Sequence, residues 1–370
     1  MTTRENTRAL RVGNVAVGGG APVSVQSMAN VPPHDAAALA AQIESCAACG
    51  CDIFRVTVPD EAAAQTLGEV AGRVPIPLVA DIHFDWRMAV AAAENGAAAL
   101  RINPGNIGGA DKVREVVRAA KARKIPIRVG VNLGSLQKDL AEKTRAGKMR
   151  PAEALCSSAL EHLAILEKEG FRDVAISAKA SDAATTIETY RLLAERTDCP
   201  LHLGVTEAGT LLPGAVRSAA ALGILLSEGI GDTIRISLTD RPEREVKAGA
   251  ELLRALGMRA PGPAIVSCPT CGRTKADLFR VAAEVEETME ALYSKRLAEA
   301  KTAGRAGAPA FPKVAVMGCA VNGPGEAKDA DIALCGCGDG DFMVYVKGEP
   351  VCRTSAAQAA GKVAEYAISL

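Results

Sequence analysis

Two short stretches of this chain carry the residue types best suited to hold an inorganic centre: Cys268-Pro-Thr-Cys271, and Gly318-Cys319 followed by Ala-Val-Asn-Gly-Pro-Gly and Glu326. Two thiols separated by two residues can grip one centre from a tight turn, and glycines let the backbone close around a bulky group. In a compartment that keeps thiols reduced, Cys268, Cys271 and Cys319 read as ligands of iron–sulfur or zinc. Cys335 and Cys337 lie 16 and 18 residues past Cys319 and could complete a four-thiolate site. The rest of the 11 cysteines read first as packing thiols: Cys46-Ala-Ala-Cys49 falls on a helical pattern, Cys51 opens a strand, Cys156 sits on a helix and Cys199 precedes a proline.

A second set is cationic. Arg55, Arg101, Arg128 and Arg235 each stand among apolar residues of a strand-like segment, where an unpartnered charge is expensive to bury. Side chains alternate along a strand, so Arg101 shares a face with Asn103, Arg128 with Gly130 and Asn132, and Arg235 with Ser237. Lys179 joins them at the end of another segment. One reading pairs these cations with Asp81 and Glu207 in buried salt bridges that only specify packing. The other leaves excess positive charge for a small polyanion such as a phosphate or diphosphate, which guanidinium groups grip in pairs of hydrogen bonds. The loop NPGNIGG at 103–109 could add backbone N–H donors. His83 and His202, at or near strand ends, are candidate contacts or simply hydrogen-bonded core residues, while His34 and His162 read as surface or helix residues.

These residues must be positioned by something, and the pattern is regular. Eight β-branched, apolar segments run from VSVQSM at 23 through DIFRVTV at 52, PLVAD at 77, AALRIN at 98, PIRVGVN at 126, DVAIS at 173 and LHLGVT at 201 to DTIRISL at 232. Amphipathic helical patterns separate them, among them Leu39, Ile43 and Cys46 after Asp35, then 111–123 and 152–169. Strand and helix alternating in this way predict an α/β fold, a TIM-type (β/α)8 barrel whose reactive groups sit where strands end. An open doubly wound sheet is the runner-up, but neither a G-x-G-x-x-G after the first strand nor a P-loop is present. RAPGPAI at 259–265 breaks regular structure and marks a boundary. The domains expected are 1–258, the substrate-binding barrel, and 259–370, a small α+β unit with a strand ending at Cys268, a helix from about 276 to 300, a linker at 303–309, strands near 313, 331 and 342, and a closing helix from 355.

With 370 residues the chain exceeds what one core organises, which argues for more than one domain. Lys plus Arg and Asp plus Glu number 43 each, so no global field draws the chain to nucleic acid or an anionic membrane. Aromatics at 3% are poor material for stacking bases. The N-terminal residues lack the apolar core of a signal peptide and no run is long enough to span a bilayer, so a cytoplasmic protein is expected.

Taken together, VQSM at 25, CDIFRVTVPD at 51, DIHFD at 81, LRINPGNIG at 100, RVGVNLGSL at 128, SAKASD at 177, LGVTEAG at 203, IRISLT at 234, SCPTCGR at 267 and GCAVNGPGEA at 318 resemble the bacterial 4-hydroxy-3-methylbut-2-enyl diphosphate synthase family of the non-mevalonate isoprenoid pathway. The resemblance covers nearly the whole chain, and SCPTCGR and GCAVNGPGEA are its specific motifs. It implies a barrel followed by a cluster domain, with no room for the extra middle domain of plant-type enzymes. It implies a 4Fe-4S cluster on Cys268, Cys271 and Cys319 with Glu326 as fourth ligand, a homodimer, and flavodoxin or ferredoxin as electron donor. The implied reaction is reductive ring opening and dehydration of 2-C-methyl-D-erythritol 2,4-cyclodiphosphate. Arg55, Arg101, Asn103, Arg128, Asn132, Lys179, Arg235 and Ser237 would hold the diphosphate, and Glu207, with Asp81 and His83, would handle protons. The chain departs from the family pattern in ANVPPHDAA after VQSM and in LCGCGDGD at 334–341, which brings Cys335 and Cys337. The competing readings are a phosphosugar lyase or isomerase barrel with a structural zinc site, and an iron–sulfur sensor.

Overall fold

The computed structural model describes residues 1–260, 262–302, 310–321 and 323–370, so the stretch 303–309 read as a linker lies outside the described residues. The chain divides into two compact units, Met1–Arg259 and Ala260–Leu370.

The first unit opens with an antiparallel hairpin, β1 (Leu10–Val12) and β2 (Val15–Val17), joined through Gly13 in the left-handed region at φ 58°. The sequence reading did not include it, although Gly-Asn between two short apolar runs is a hairpin signal. The eight expected strands follow: β3 (Ser24–Met28), β4 (Ile53–Thr57), β5 (Leu78–Asp81), β6 (Ala99–Ile102), β7 (Ile127–Asn132), β8 (Val174–Lys179), β9 (His202–Leu203) and β10 (Thr233–Ile234). They form one sheet in the order β8-β7-β6-β5-β4-β3-β10-β9, with every pairing parallel. A bridge between Ile176 and Leu201 joins its two ends into a barrel. At this join the Tyr190 phenol stands between strands, accepting from the Ala178 N–H at 3.2 Å and donating to the His202 carbonyl at 2.6 Å.

Strands buried on both faces need near-continuous apolar sequence, and β5 and β7 are buried along almost their whole length. Helices cover the outside. Leu39, Ile43, Cys46 and Ala47 form the buried stripe of Ala36–Ala48, whose first turn is capped by the Asp35 carboxylate accepting from the Ala38 N–H at 2.9 Å. Asp60 and Asp182 cap later helices in the same way, which fixes where each loop leaves the strand end and enters a helix. The hairpin packs Leu10, Val12 and Val17 against Ile53, Val79, Ala99 and Ala175, which lie at the starts of their strands. It therefore stops the end of the barrel opposite the strand termini.

The second unit is a five-stranded sheet in the order β11 (Ala264–Ser267), β12 (Lys313–Met317), β13 (Ile332–Gly338), β14 (Asp341–Val346) and β15 (Glu349–Ser355). The first three run parallel and the last two antiparallel. Helices Leu278–Thr302 and Ala359–Ser369 pack on one face over Val314, Val316, Ile332, Leu334, Phe342 and Val344. The other face holds Ala315, Met317, Ala333 and Cys335 beneath Ala327 and Ala330. The sequence reading missed β15, whose exposed, polar residues carry no apolar run.

Candidate active site

The register of the parallel strands sets cations side by side at the barrel mouth. Met28 pairs with Arg55, Asp81 with Arg101, Arg101 with Arg128, and Asn132 with Lys179. Arg101 donates from Nη1 to Asp81 Oδ1 at 3.1 Å, while Arg55 Nε and His83 Nε2 stand 3.6 and 3.7 Å from Asp81 Oδ2. Burial opposes ionisation of Asp81, yet Arg55 and Arg101 together hold its carboxyl below the ordinary value. Arg235, just past β10, forks onto a carboxylate that the sequence reading did not single out: Nε to Glu245 Oε2 at 3.2 Å and Nη2 to Oε1 at 3.1 Å. Glu245 also accepts from Ser27 Oγ at 2.7 Å and from the Leu238 N–H at 3.0 Å. Its signal was present, because it shares the buried stripe of helix Pro242–Ala255 with Val246, Gly249, Ala250 and Leu253. A carboxylate on the core face of a helix requires a cation opposite.

Arg128 and Lys179 have no such partner among the described residues. Arg128 is 6% exposed and donates from Nη1 to Gln26 Oε1 at 2.7 Å, while its Nε and Nη2 are buried without a hydrogen bond among the described residues. Among those residues no carboxylate stands within ion-pair distance of Arg128 or Lys179. Burial, reinforced by neighbouring guanidinium groups, pushes the pKa of both well below the usual values, and Arg55 to about 10. Glycines make room for these side chains. A Cβ at Gly130 would overlap the Arg101 guanidinium, and one at Gly204 would lie 2.5 Å from Lys179 Nζ.

The other expected residues distribute around this cup. Asn103 is buried, its Oδ1 capping Gly105 N–H at 3.0 Å and its Nδ2 left without a partner among the described residues. The loop it opens contains a short helix, Pro104–Ile107. Asn132, at the end of β7, and Ser237, beyond β10, are half-buried. Glu207 is exposed, holds φ 53°, and makes no ion pair among the described residues, so the expected pairing with the arginines belongs to Asp81 and Glu245 instead. His83 is exposed; His202 is fully buried, with Nδ1 3.3 Å from Thr233 Oγ1, and burial beside Arg128 and Lys179 keeps the ring neutral. His162, expected on the surface or a helix, is on a helix but buried, packed over Gly105, and burial lowers its pKa to about 4. Arg55, Arg101, Arg128, Lys179 and Arg235 thus outnumber Asp81 and Glu245. A compact anion with several oxygens would supply the missing partners.

In the second unit the cysteines lie at the carboxyl ends of neighbouring strands. Cys268 follows β11, its N–H donating to the Val316 carbonyl at 3.1 Å, and Cys319 stands just past β12. Cys268 Sγ accepts from the Thr270 N–H at 3.4 Å. Cys271 is exposed, and the Arg273 backbone N–H and side chain lower its thiol pKa. Accessible thiols with N–H groups aimed at sulfur suit the soft iron of an iron–sulfur group, so the donor chemistry fits. Among the described residues no three His, Cys, Asp or Glu side chains form a group that could hold a metal ion, and the Glu326 side chain lies outside them. Cys335 does not fit a ligand role: it is buried against Gly323, and burial pushes its thiol up to about 12. Cys337 is half-buried at the end of the same strand.

Models of known families match both units: GcpE TIM-barrel domain over residues 7–250 and GcpE protein C-terminal domain over 264–368. The chain is 51% identical over 348 residues to a 4-hydroxy-3-methylbut-2-en-1-yl diphosphate synthase (flavodoxin) of Desulfotalea psychrophila, covering 94% of this chain and 91% of the relative. The enzyme of the same name from Geobacter sulfurreducens is also 51% identical, with 94% and 93% covered. That from Maridesulfovibrio salexigens is 51% identical over 351 residues, covering 95% and 92%.

Proposed function

Given that the chain belongs to the GcpE family, we propose that it is an enzyme that converts 2-C-methyl-D-erythritol 2,4-cyclodiphosphate to (E)-4-hydroxy-3-methylbut-2-enyl diphosphate. The reaction takes up two electrons and two protons, opens the ring and releases water. One observation supports the reading beyond kinship: among the described residues no carboxylate pairs with Arg128 or Lys179 at the barrel mouth, beside the ion pairs of Arg55, Arg101 and Arg235.

The diphosphate would lie against Arg55, Arg101, Arg128, Lys179 and Arg235, with Asn103, Asn132 and Ser237 as neutral donors. Its negative charge would raise the Lys179 and Arg128 pKa values back toward those of ordinary cations, so binding and full ionisation of the cup are coupled. Such donors, fixed before the substrate arrives, stabilise the charge that grows on the diphosphate as the ring C–O bond breaks. Asp81, held ionised by its arginines, keeps Arg55 and Arg101 in place and reaches toward His83. Glu207, exposed in the loop after β9, and His83 would hold a proton for the departing hydroxyl.

Cys268, Cys271 and Cys319, with Glu326, would hold a 4Fe-4S cluster, which when bound supplies electrons to the substrate carbon skeleton. A carboxylate is a harder and more exchangeable ligand than a thiolate, so Glu326 is the ligand that could yield its place. We take flavodoxin as the electron donor, with ferredoxin as the other candidate, and a cytoplasmic homodimer as the working form. Among the described residues no helix is long and apolar enough to cross a membrane.

The test is anaerobic purification followed by metal and sulfide analysis and assay with reduced flavodoxin. Iron and acid-labile sulfide at about four each per chain, with turnover of the cyclic diphosphate, are expected. Glu326→Ala should keep most of the iron yet lose most of the turnover. Zinc in place of iron, which the phosphosugar lyase reading requires, would overturn the assignment.

A further inference from the structure

Across four neighbouring strand ends runs a continuous chain of contacts: Asp81, Arg55, Met28, Arg235, Glu245, in the spatial order β5, β4, β3, β10 and the helix beyond. Each arginine also meets a carboxylate: Arg55 Nε lies 3.6 Å from Asp81 Oδ2, and Arg235 forks onto Glu245 through Nε and Nη2. Both guanidinium groups reach one further atom. Met28 Sδ accepts from Arg55 Nη2 at 2.8 Å and Nε at 3.2 Å, and Arg235 Nη1 lies 3.7 Å from it.

The type of that atom matters. Two guanidinium groups facing each other across a hydrocarbon would repel and leave N–H donors unpaired. A carboxylate between them would orient both but cancel the positive charge an anion site depends on. A thioether is neutral, polarisable and a weak acceptor, so it can direct both groups without removing charge, and it releases them readily to stronger acceptors. We propose that Met28 is a positioning residue: its sulfur spaces and aims Arg55 and Arg235 so that both are ready to receive one diphosphate. This rests on the reading of the cup as a diphosphate site.

The test uses the full chain purified anaerobically, inorganic pyrophosphate as the calorimetric probe, and steady-state kinetics with the cyclic diphosphate. Met28→Leu keeps the volume and removes the acceptor; Met28→Gln restores an acceptor without charge. Losing the two hydrogen bonds from Arg55 and the longer contact from Arg235 should weaken pyrophosphate binding and raise KM about tenfold in Met28→Leu, with kcat nearly unchanged. Met28→Gln should recover most of the loss, which a purely packing role for Met28 would not allow. Wild-type affinity in Met28→Leu, equal impairment of both variants, or a loss confined to kcat would each overturn the proposal. Should Met28→Leu fail to fold, Met28→Gln decides alone, near-wild-type binding supporting the proposal and a tenfold loss refuting it. Wild-type chain that does not bind pyrophosphate at all would instead defeat the diphosphate reading itself.

Discussion

Arg128 shows how a single residue can work against the fold that carries it. It is almost wholly buried, two of its nitrogens lack partners among the described residues, and the groups nearest in charge are other cations. Replacing an uncompensated buried charge by an apolar side chain of similar length commonly stabilises a protein. Arg128→Met should therefore leave the melting temperature unchanged or raise it by a few degrees, while pyrophosphate affinity falls by about 30-fold or more. Thermal unfolding and calorimetry on the same sample check both halves; a large drop in stability would mean that Arg128 serves the fold alone. At this scale the sequence was informative about cations and much less so about their partners. An arginine in an apolar strand announces itself by its cost. Glu245 escaped notice because a carboxylate in a polar-looking helix is ordinary until the buried stripe is known, and His162 because a lone helical histidine carries no mark of burial.

Elements decide how closely those side chains can converge. Gly130 lies in the middle of β7 with φ outside the left-handed region, so alanine suits its backbone. What a methyl would meet is the far end of the Arg101 side chain, a flexible group that can move. The cost in stability of Gly130→Ala should thus be small, under about 1 kcal/mol, because alanine is the better strand residue. The cost in function should be larger: Arg101 is displaced from Asp81, and pyrophosphate binding weakens about tenfold. Urea unfolding set beside calorimetry separates the two, and unimpaired binding would show that Arg101 need not lie over Gly130. The parallel strands were readable from their continuous apolar character, as was Asp35 as the start of a helix. The hairpin and β15 were not, the first because three-residue strands carry little periodicity and the second because its residues are polar and exposed. Strand ends were overestimated at β9 and β10, where apolar residues continue beyond the ladder and leave Arg235 and Ser237 outside it.

For the whole molecule, zero net charge conceals a local excess of cations at the barrel mouth, which composition alone does not reveal. The chain divides into compact units next to the interruption RAPGPAI near residue 260. Closure of the barrel followed from the count of eight strand and helix units, whereas the chemistry of its join did not: beside the Ile176–Leu201 bridge, the Tyr190 hydroxyl occupies a place where a strand-to-strand rung would otherwise stand. A circle of strands fastened in part by a phenol has a seam. Tyr190→Phe leaves the Ala178 amide and the His202 carbonyl buried with nothing to bond, a loss of about 1–3 kcal/mol. Deuterium should then enter β8 and β9 well before β6 and β7, and an exchange map indistinguishable from wild type would refute this. Because Lys179 ends β8 on one lip of that seam and its amine lies against Gly204 on the other, slackening there should reach the lysine before it reaches the rest of the ring.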